Sequence, residues 1–191
     1  MTKARLEAFS DGVVAILITI MVLELHIPHE ATWSALGPLV PIFLTYVLSF
    51  VFLGIYWNNH HHMLHAADRI NGTVLWANLH LLFWLSLVPF VTGWLGQNHV
   101  EAIPAAAYGI VMMCAGIAYY ILAHALIAEC GPDSRLARAL GADSKGKLSV
   151  VFYGIAIGLA FVNPWIAVAI YVGVALWWLI PDRRIEKPSG V

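Results

Sequence analysis

Charge is what this chain has least of. Only 11% of its 191 residues are Asp, Glu, Lys or Arg, against 61% hydrophobic residues. A soluble domain carries about a quarter charged residues. The composition therefore excludes an ordinary soluble globule and predicts an all-α, polytopic membrane protein. Cysteine is almost missing too. Cys114 and Cys130 are the only two, too few for a disulfide framework. No polar stretch is long enough for a separate soluble domain, since the longest runs only from Glu129 to Lys147. That segment holds Gly131-Pro132 and a basic run from Arg135 to Leu140, and it reads as a surface loop with a short interfacial helix. Residues 1–191 are thus expected to form one transmembrane domain. There is no internal repeat and no low-complexity tract. The N-terminal apolar stretch lacks a small-residue cleavage site and runs on into Glu24 and His26-Ile27-Pro28, so it does not read as a signal peptide. Nucleic acid is not an expected partner; the lipid bilayer is.

What is present is a series of apolar stretches of membrane-crossing length, about 17–25 residues each. Six are expected, at 5–27, 38–62, 73–95, 104–128, 147–163 and 165–181. Only the Asn163-Pro164 turn signal separates the last two. They read either as two short spans or as one kinked span with a re-entrant piece.

The basic residues check the six-span reading independently. Lys3, Arg5, Arg69, Arg135, Arg138, Lys145, Lys147, Arg183, Arg184 and Lys187 are all of them. Every one falls at a terminus or in the 2–3 or 4–5 loop. The opposite loops, His26 to Gly37, Gly96 to Ile103 and the Asn163-Pro164 turn, carry none. Positive charge marks the cytoplasmic side, so both termini are expected in the cytoplasm. Trp33, Trp94, Trp165 and the Trp177-Trp178 pair lie near span ends, where interfacial aromatics belong.

Polar residues inside the spans narrow the function. Span 1 opens with Arg5-Leu6-Glu7-Ala8-Phe9-Ser10-Asp11 ahead of the apolar run Gly12 to Leu23. Ser10 or Asp11 could cap a helix starting at Gly12. Alternatively, both lie inside a longer helix and need partners on other helices. Asp11 and Glu24 are separated by about 20 Å of helix, too far to act as one acid–base pair. Between them the midplane is apolar, with Thr19 as its only polar member, whereas a proton-coupled carrier more often places an ionisable group there. Span 2 ends in Tyr56-Trp57-Asn58-Asn59-His60-His61-His62 and His65. His61 and His65 share a face and could bind a metal. Consecutive histidines, however, point about 100° apart on a helix, and no nearby Cys or Glu completes a site. Neither metal nor cofactor is expected. Within span 1, Ile16, Ile20, Leu23 and Ile27 fall on one continuous face flanked by Thr19. That face suits plain packing or lipid contact. It equally suits a pore-lining stripe, where a ring of branched apolar side chains closes by dewetting.

Three motifs carry a family resemblance. Arg5-x-x-x-Phe9-Ser10-Asp11, followed by a Leu/Ile/Val-rich helix ending in Leu23-Glu24, resembles the first span of the transmembrane protein 175 family. So do Tyr56-Trp57-x-x-His60-His61 in span 2 and Asn78-Leu79-x-Leu81-Leu82-Phe83-x-Leu85-Ser86-Leu87-x-Pro89-Phe90 in span 3. His80 stands where that pattern has an aliphatic residue. These are endolysosomal potassium channels in animals, with smaller prokaryotic homologues. The resemblance implies a single-repeat, six-helix subunit that assembles as a homotetramer with a central pore lined by helix 1. It implies a constriction at Ile16, with Thr19, Ile20 and Leu23 further along. It also implies a packing role for Arg5, Phe9, Ser10 and Asp11 against Trp57, His60, His61 and Asn78.

The expected function is a potassium-preferring cation channel of a prokaryotic inner membrane. It would have a hydrophobic gate, with carboxylates such as Glu24 drawing cations toward it, and potassium passing as the permeant ion. The chain has no Thr-Val-Gly-Tyr-Gly carbonyl filter. Two rival readings are a proton- or cation-coupled secondary transporter, titrating Asp11 or the span-2 histidines, and an intramembrane enzyme built on His60, His61, His65 and His80. The channel reading carries no catalytic residues.

Overall fold

The computed structural model describes residues 2–140 and 144–179, excepting the side chains of 139 and 140. The described residues form helices and connecting turns, with no strand among them. Helix α1 is Lys3–Ile20 and tightens into a 3-10 turn at Met21–Glu24. A second 3-10 stretch, Trp33–Leu39, leads into α2, Val40–Ala66. Then come α3 (Gly72–Ser86), α4 (Val88–Gln97), α5 (Ala102–Cys130), the short α6 (Arg135–Leu140), α7 (Ser144–Ala160) and α8 (Pro164–Leu179).

Local chemistry explains most of the boundaries. Asn71 caps α3, its side-chain oxygen accepting the Val74 N–H at 2.9 Å, the usual use of Asn at a helix start. α5 ends at Gly131, whose φ of 97° suits only glycine, while its N–H still reaches the Ile127 carbonyl. At the Asn163-Pro164 turn, Asn163 Oδ1 accepts the Trp165 N–H at 2.9 Å and proline begins α8. α3 and α4 form one rod bent at Leu87, because Pro89 has no N–H to continue the ladder. The continuous apolar run 73–95 hid that bend.

Among the described residues, four helical stretches are long and apolar enough to cross a membrane: Lys3–Glu24, Trp33–Ala66, Gly72–Gln97 and Ala102–Cys130. α7 and α8 are shorter, at 17 and 16 residues. They are separate helices that fold back on each other as a hairpin. Trp178 Nε1 donates to Ser149 Oγ at 2.8 Å near its open end, and the Phe152–Trp177 and Tyr153–Tyr171 rings meet along its length at 6.2 and 6.1 Å. Residues 180–181 of the sixth expected span, and Arg183, Arg184 and Lys187, lie outside the described residues.

α5 is the hub of the bundle, packing against α3, α4, α7 and α8. Its interior polar contacts are satisfied. Thr92 donates to Ser49 Oγ at 2.6 Å, Ser49 and Tyr108 share a 3.0 Å bond, and Tyr171 donates to the Ala105 carbonyl at 2.9 Å. Gly109 is required at that crossing, because a Cβ there would collide with the Tyr171 hydroxyl.

α1 sits at the edge of this bundle, against α2, α3 and α4. Its inner face is Leu6, Ser10, Val14 and Leu17, continued by Met21 in the turn beyond, all buried. The opposite face is uncovered and carries Arg5, Phe9, Gly12, Ile16, Thr19 and Leu23. Both sets recur at three- and four-residue steps, so one helix presents two distinct stripes.

Candidate pore helix and its anchoring network

Ser10 and Asp11 lie well inside α1, since the helix starts at Lys3. The N-cap residue is Thr2, and no side-chain bond caps it. Of the two readings the sequence left open for Ser10 and Asp11, the interior one holds.

A buried hydrogen-bond chain ties three helices together. His60 Nε2 and Asn78 Oδ1 are 2.7 Å apart, so the His60 ring donates from Nε2. Asn78 Nδ2 then donates to Ser10 Oγ at 3.0 Å, and Ser10 donates to the Leu6 carbonyl at 2.9 Å. His60 belongs to α2, Asn78 to α3 and Ser10 to α1, and all three are buried. Asn78 can serve this junction because its amide both accepts and donates. A second, more exposed tie joins α1 to α2, where Trp57 Nε1 donates to Asp11 Oδ1 at 3.0 Å.

Three expected members of this network behave otherwise within the subunit. Arg5 is exposed, and among the described residues its side chain makes no hydrogen bond or ion pair. Phe9 is 49% exposed. Both stand on the uncovered stripe of α1, two turns and one turn before Gly12. His61 is exposed and stacks between Trp57 and His65, with ring centroids 6.3 and 6.2 Å away. It supports the indole that holds Asp11 but donates nothing to the buried chain.

The histidines do not converge. His60 goes to Asn78, His61 stacks with Trp57 and His65, and His80 accepts from its own helix neighbour Trp84 at 3.0 Å. Among the described residues, no group of three His, Cys, Asp or Glu side chains could hold one metal ion.

One anchor escaped the sequence. Lys3 Nζ donates to the His65 and Ala67 carbonyls at 3.2 and 2.9 Å. It thereby caps the C-terminus of α2, where the orphan carbonyls and the helix dipole favour a cation. The only sequence signal was its sign and its nearness to the start of α1.

The residues expected to line a pore are all open on the free face. Ile16 is 59% and Leu23 75% exposed, Thr19 and Ile20 are exposed beside them, and Leu17 is 5% exposed on the inner face. Thr19 donates its hydroxyl to the backbone of its own helix, at 3.0 Å from the Ala15 and 2.9 Å from the Ile16 carbonyl.

An all-helical bundle of long apolar helices, whose first helix is anchored by polar ties on one face and bare on the other, is the architecture of a membrane-channel subunit. Residues 5–89 match the family described as "Endosomal/lysosomal potassium channel TMEM175". The chain is 52% identical over 187 residues to a potassium channel of Chryseobacterium sp. (strain P1-3), covering 98% of this chain and 97% of that one. It therefore belongs to the TMEM175 family. It also resembles the chicken (Gallus gallus) endosomal/lysosomal proton channel TMEM175, at 31% identity over 54% of this chain and 24% of that protein. The fold matches the crystal structure of a lysosomal potassium-selective channel TMEM175 homolog from Chamaesiphon minutus, with a TM-score of 0.82, 26% identity, and coverage of 97% of this chain and 98% of that one.

Proposed function

We propose that this chain is the subunit of a potassium-preferring channel in a prokaryotic inner membrane, conducting through a central pore lined by α1. The observation that carries the reading is the two-faced α1 of a TMEM175-family chain. One face is fixed to the bundle by Ser10–Asn78–His60 and Asp11–Trp57. The other presents Ile16, Thr19, Ile20 and Leu23 to the outside of the subunit. In a homotetramer with α1 at the axis, four Ile16 side chains form a narrow apolar ring that excludes water when closed. The Thr19 hydroxyl hydrogen is taken by its own backbone, so the oxygen left facing the axis can only accept, the polarity a cation needs. The bacterial relative named above is a potassium channel by name. Nothing in this reading calls for a cofactor.

The topology belongs to the same proposal. Four helical stretches, together with α7 and α8, give six crossings. The last two are bordered by the Trp165 and Trp177-Trp178 anchors. Both termini lie in the cytoplasm, with every Lys and Arg. A Ser189→Cys variant in intact cells is expected to resist a membrane-impermeant thiol reagent until the membrane is opened. Labelling from outside would reverse the orientation.

Purified protein in planar bilayers, with potassium on one side and sodium on the other, tests the function directly. Single-channel steps are expected, with a reversal potential displaced from zero in the direction that makes potassium the more permeant ion. Currents that require a coupled counter-ion in fixed ratio would favour the transporter instead.

A further inference from the structure

Glu24 closes the 3-10 turn that ends α1, immediately after Leu23. Its carboxylate lies against α4. Gly93 leaves room for it, since a Cβ there would come within 2.7 Å of Glu24 Oε2 and 3.0 Å of its carboxyl carbon. One turn further along α4, Gln97 Nε2 donates to the same Oε2 at 3.2 Å. Glycine and glutamine at i and i+4 share a helix face, so α4 supplies both a seat and a clamp. The other oxygen, Oε1, has no hydrogen-bond partner among the described residues. Nor is the charge neutralised from nearby sequence: the loops at this end carry Glu30 and Glu101 and no Lys or Arg.

Building on the pore reading above, we infer that Glu24 is a cation-binding residue at the outer mouth of the pore, held in place by Gly93 and Gln97, and that it concentrates hydrated potassium ahead of the apolar ring. An apolar constriction attracts no ion itself, and conduction needs favourable entry. Fixed carboxylates around a narrow mouth raise the local cation concentration and the rate of arrival. Such a field is screened by salt, with a Debye length of about 30 Å at 0.01 M and about 3 Å at 1 M. A carboxylate that only packs α1 against α4 has no such dependence.

The test uses full-length channels in bilayers, with the outer solution at about 10 mM or about 1 M potassium. Glu24→Gln is nearly isosteric and can still bond Gln97. It is expected to lower inward conductance about threefold or more at low salt and to match the wild type at high salt. Gly93→Ala keeps the charge but pushes the carboxylate off its seat, and a smaller loss with the same salt dependence is expected. Glu24→Cys, modified from outside after assembly with a sulfonate-bearing thiol reagent, is expected to regain low-salt conductance. Equal fractional losses at both salt concentrations, or no loss, would overturn the inference. If Ile16→Asn alters current while Glu24→Gln shows no salt-dependent loss, this inference alone fails. If neither variant alters current, the pore reading fails with it.

Discussion

Replacing Ile16 by asparagine is expected to raise single-channel conductance about threefold or more and to bring the potassium and sodium permeabilities closer together. The energetic demand is small, since a threefold change in rate is under about 1 kcal/mol of barrier. The side chain is placed to have that effect. Ile16 is 59% exposed on the free stripe of α1. Asparagine is close to it in size but polar, so four copies would hydrate the ring that isoleucine dries. Methionine or phenylalanine at the same position is expected to reduce current. Leu17, one residue on, is the control. It is 5% exposed and packs into the bundle. Leu17→Ala is expected to cost about 2–5 kcal/mol of subunit stability by opening a cavity, while the channels that do assemble keep their selectivity. An Ile16→Asn channel with unchanged current and selectivity, beside a Leu17 variant that alters both, would mean that a different face of α1 lines the pore.

The exposed stripe of α1 was legible in the sequence because helical spacing alone puts Ile16, Ile20 and Leu23 on one side. Spacing could not say which side faces the bundle. That depends on Ser10, whose inward position follows from a partner 68 residues away. The Asn78 junction was reachable only through resemblance. Periodicity names the donors and acceptors at a given depth, but not who pairs with whom. Arg5 and Phe9 show the opposite error. The shared motif suggested one network, yet Arg5 and Phe9 fall on the stripe with Ile16, not with Ser10. The bend at Leu87 was visible in principle, since Pro89 interrupts the backbone ladder. The unbroken apolar run outweighed it because hydropathy does not register a missing N–H. The Lys3 cap and the Glu24 seat on Gly93 join residues 62 or more positions apart in sequence, and a close approach of that kind leaves no local periodic trace.

Asn78→Ala is expected to be the most damaging single change to the subunit that leaves the pore lining untouched. Asn78 is fully buried and gives His60 its partner and Ser10 its donor. Removing it strands the His60 N–H in an apolar interior, at a cost of about 1–3 kcal/mol, and leaves a cavity as well. At about 2–4 °C per kcal/mol for a chain of this size, a fall in melting temperature of several degrees is expected in detergent. Asp11→Ala breaks a more exposed bond, and water can replace its partner at Trp57, so its effect should be smaller. Arg5→Ala should leave subunit stability nearly unchanged, because nothing described within the subunit holds Arg5. Its effect should appear in the oligomer, as a smaller tetramer fraction by light scattering, since Arg5 shares the free stripe of α1 with Ile16. Selectivity in the surviving Asn78→Ala channels should match the wild type. Altered selectivity at normal stability would instead make the Ser10–Asn78–His60 chain part of the conduction machinery. An Arg5→Ala loss of subunit stability equal to that of Asn78→Ala would mean that Arg5 has a partner inside the bundle.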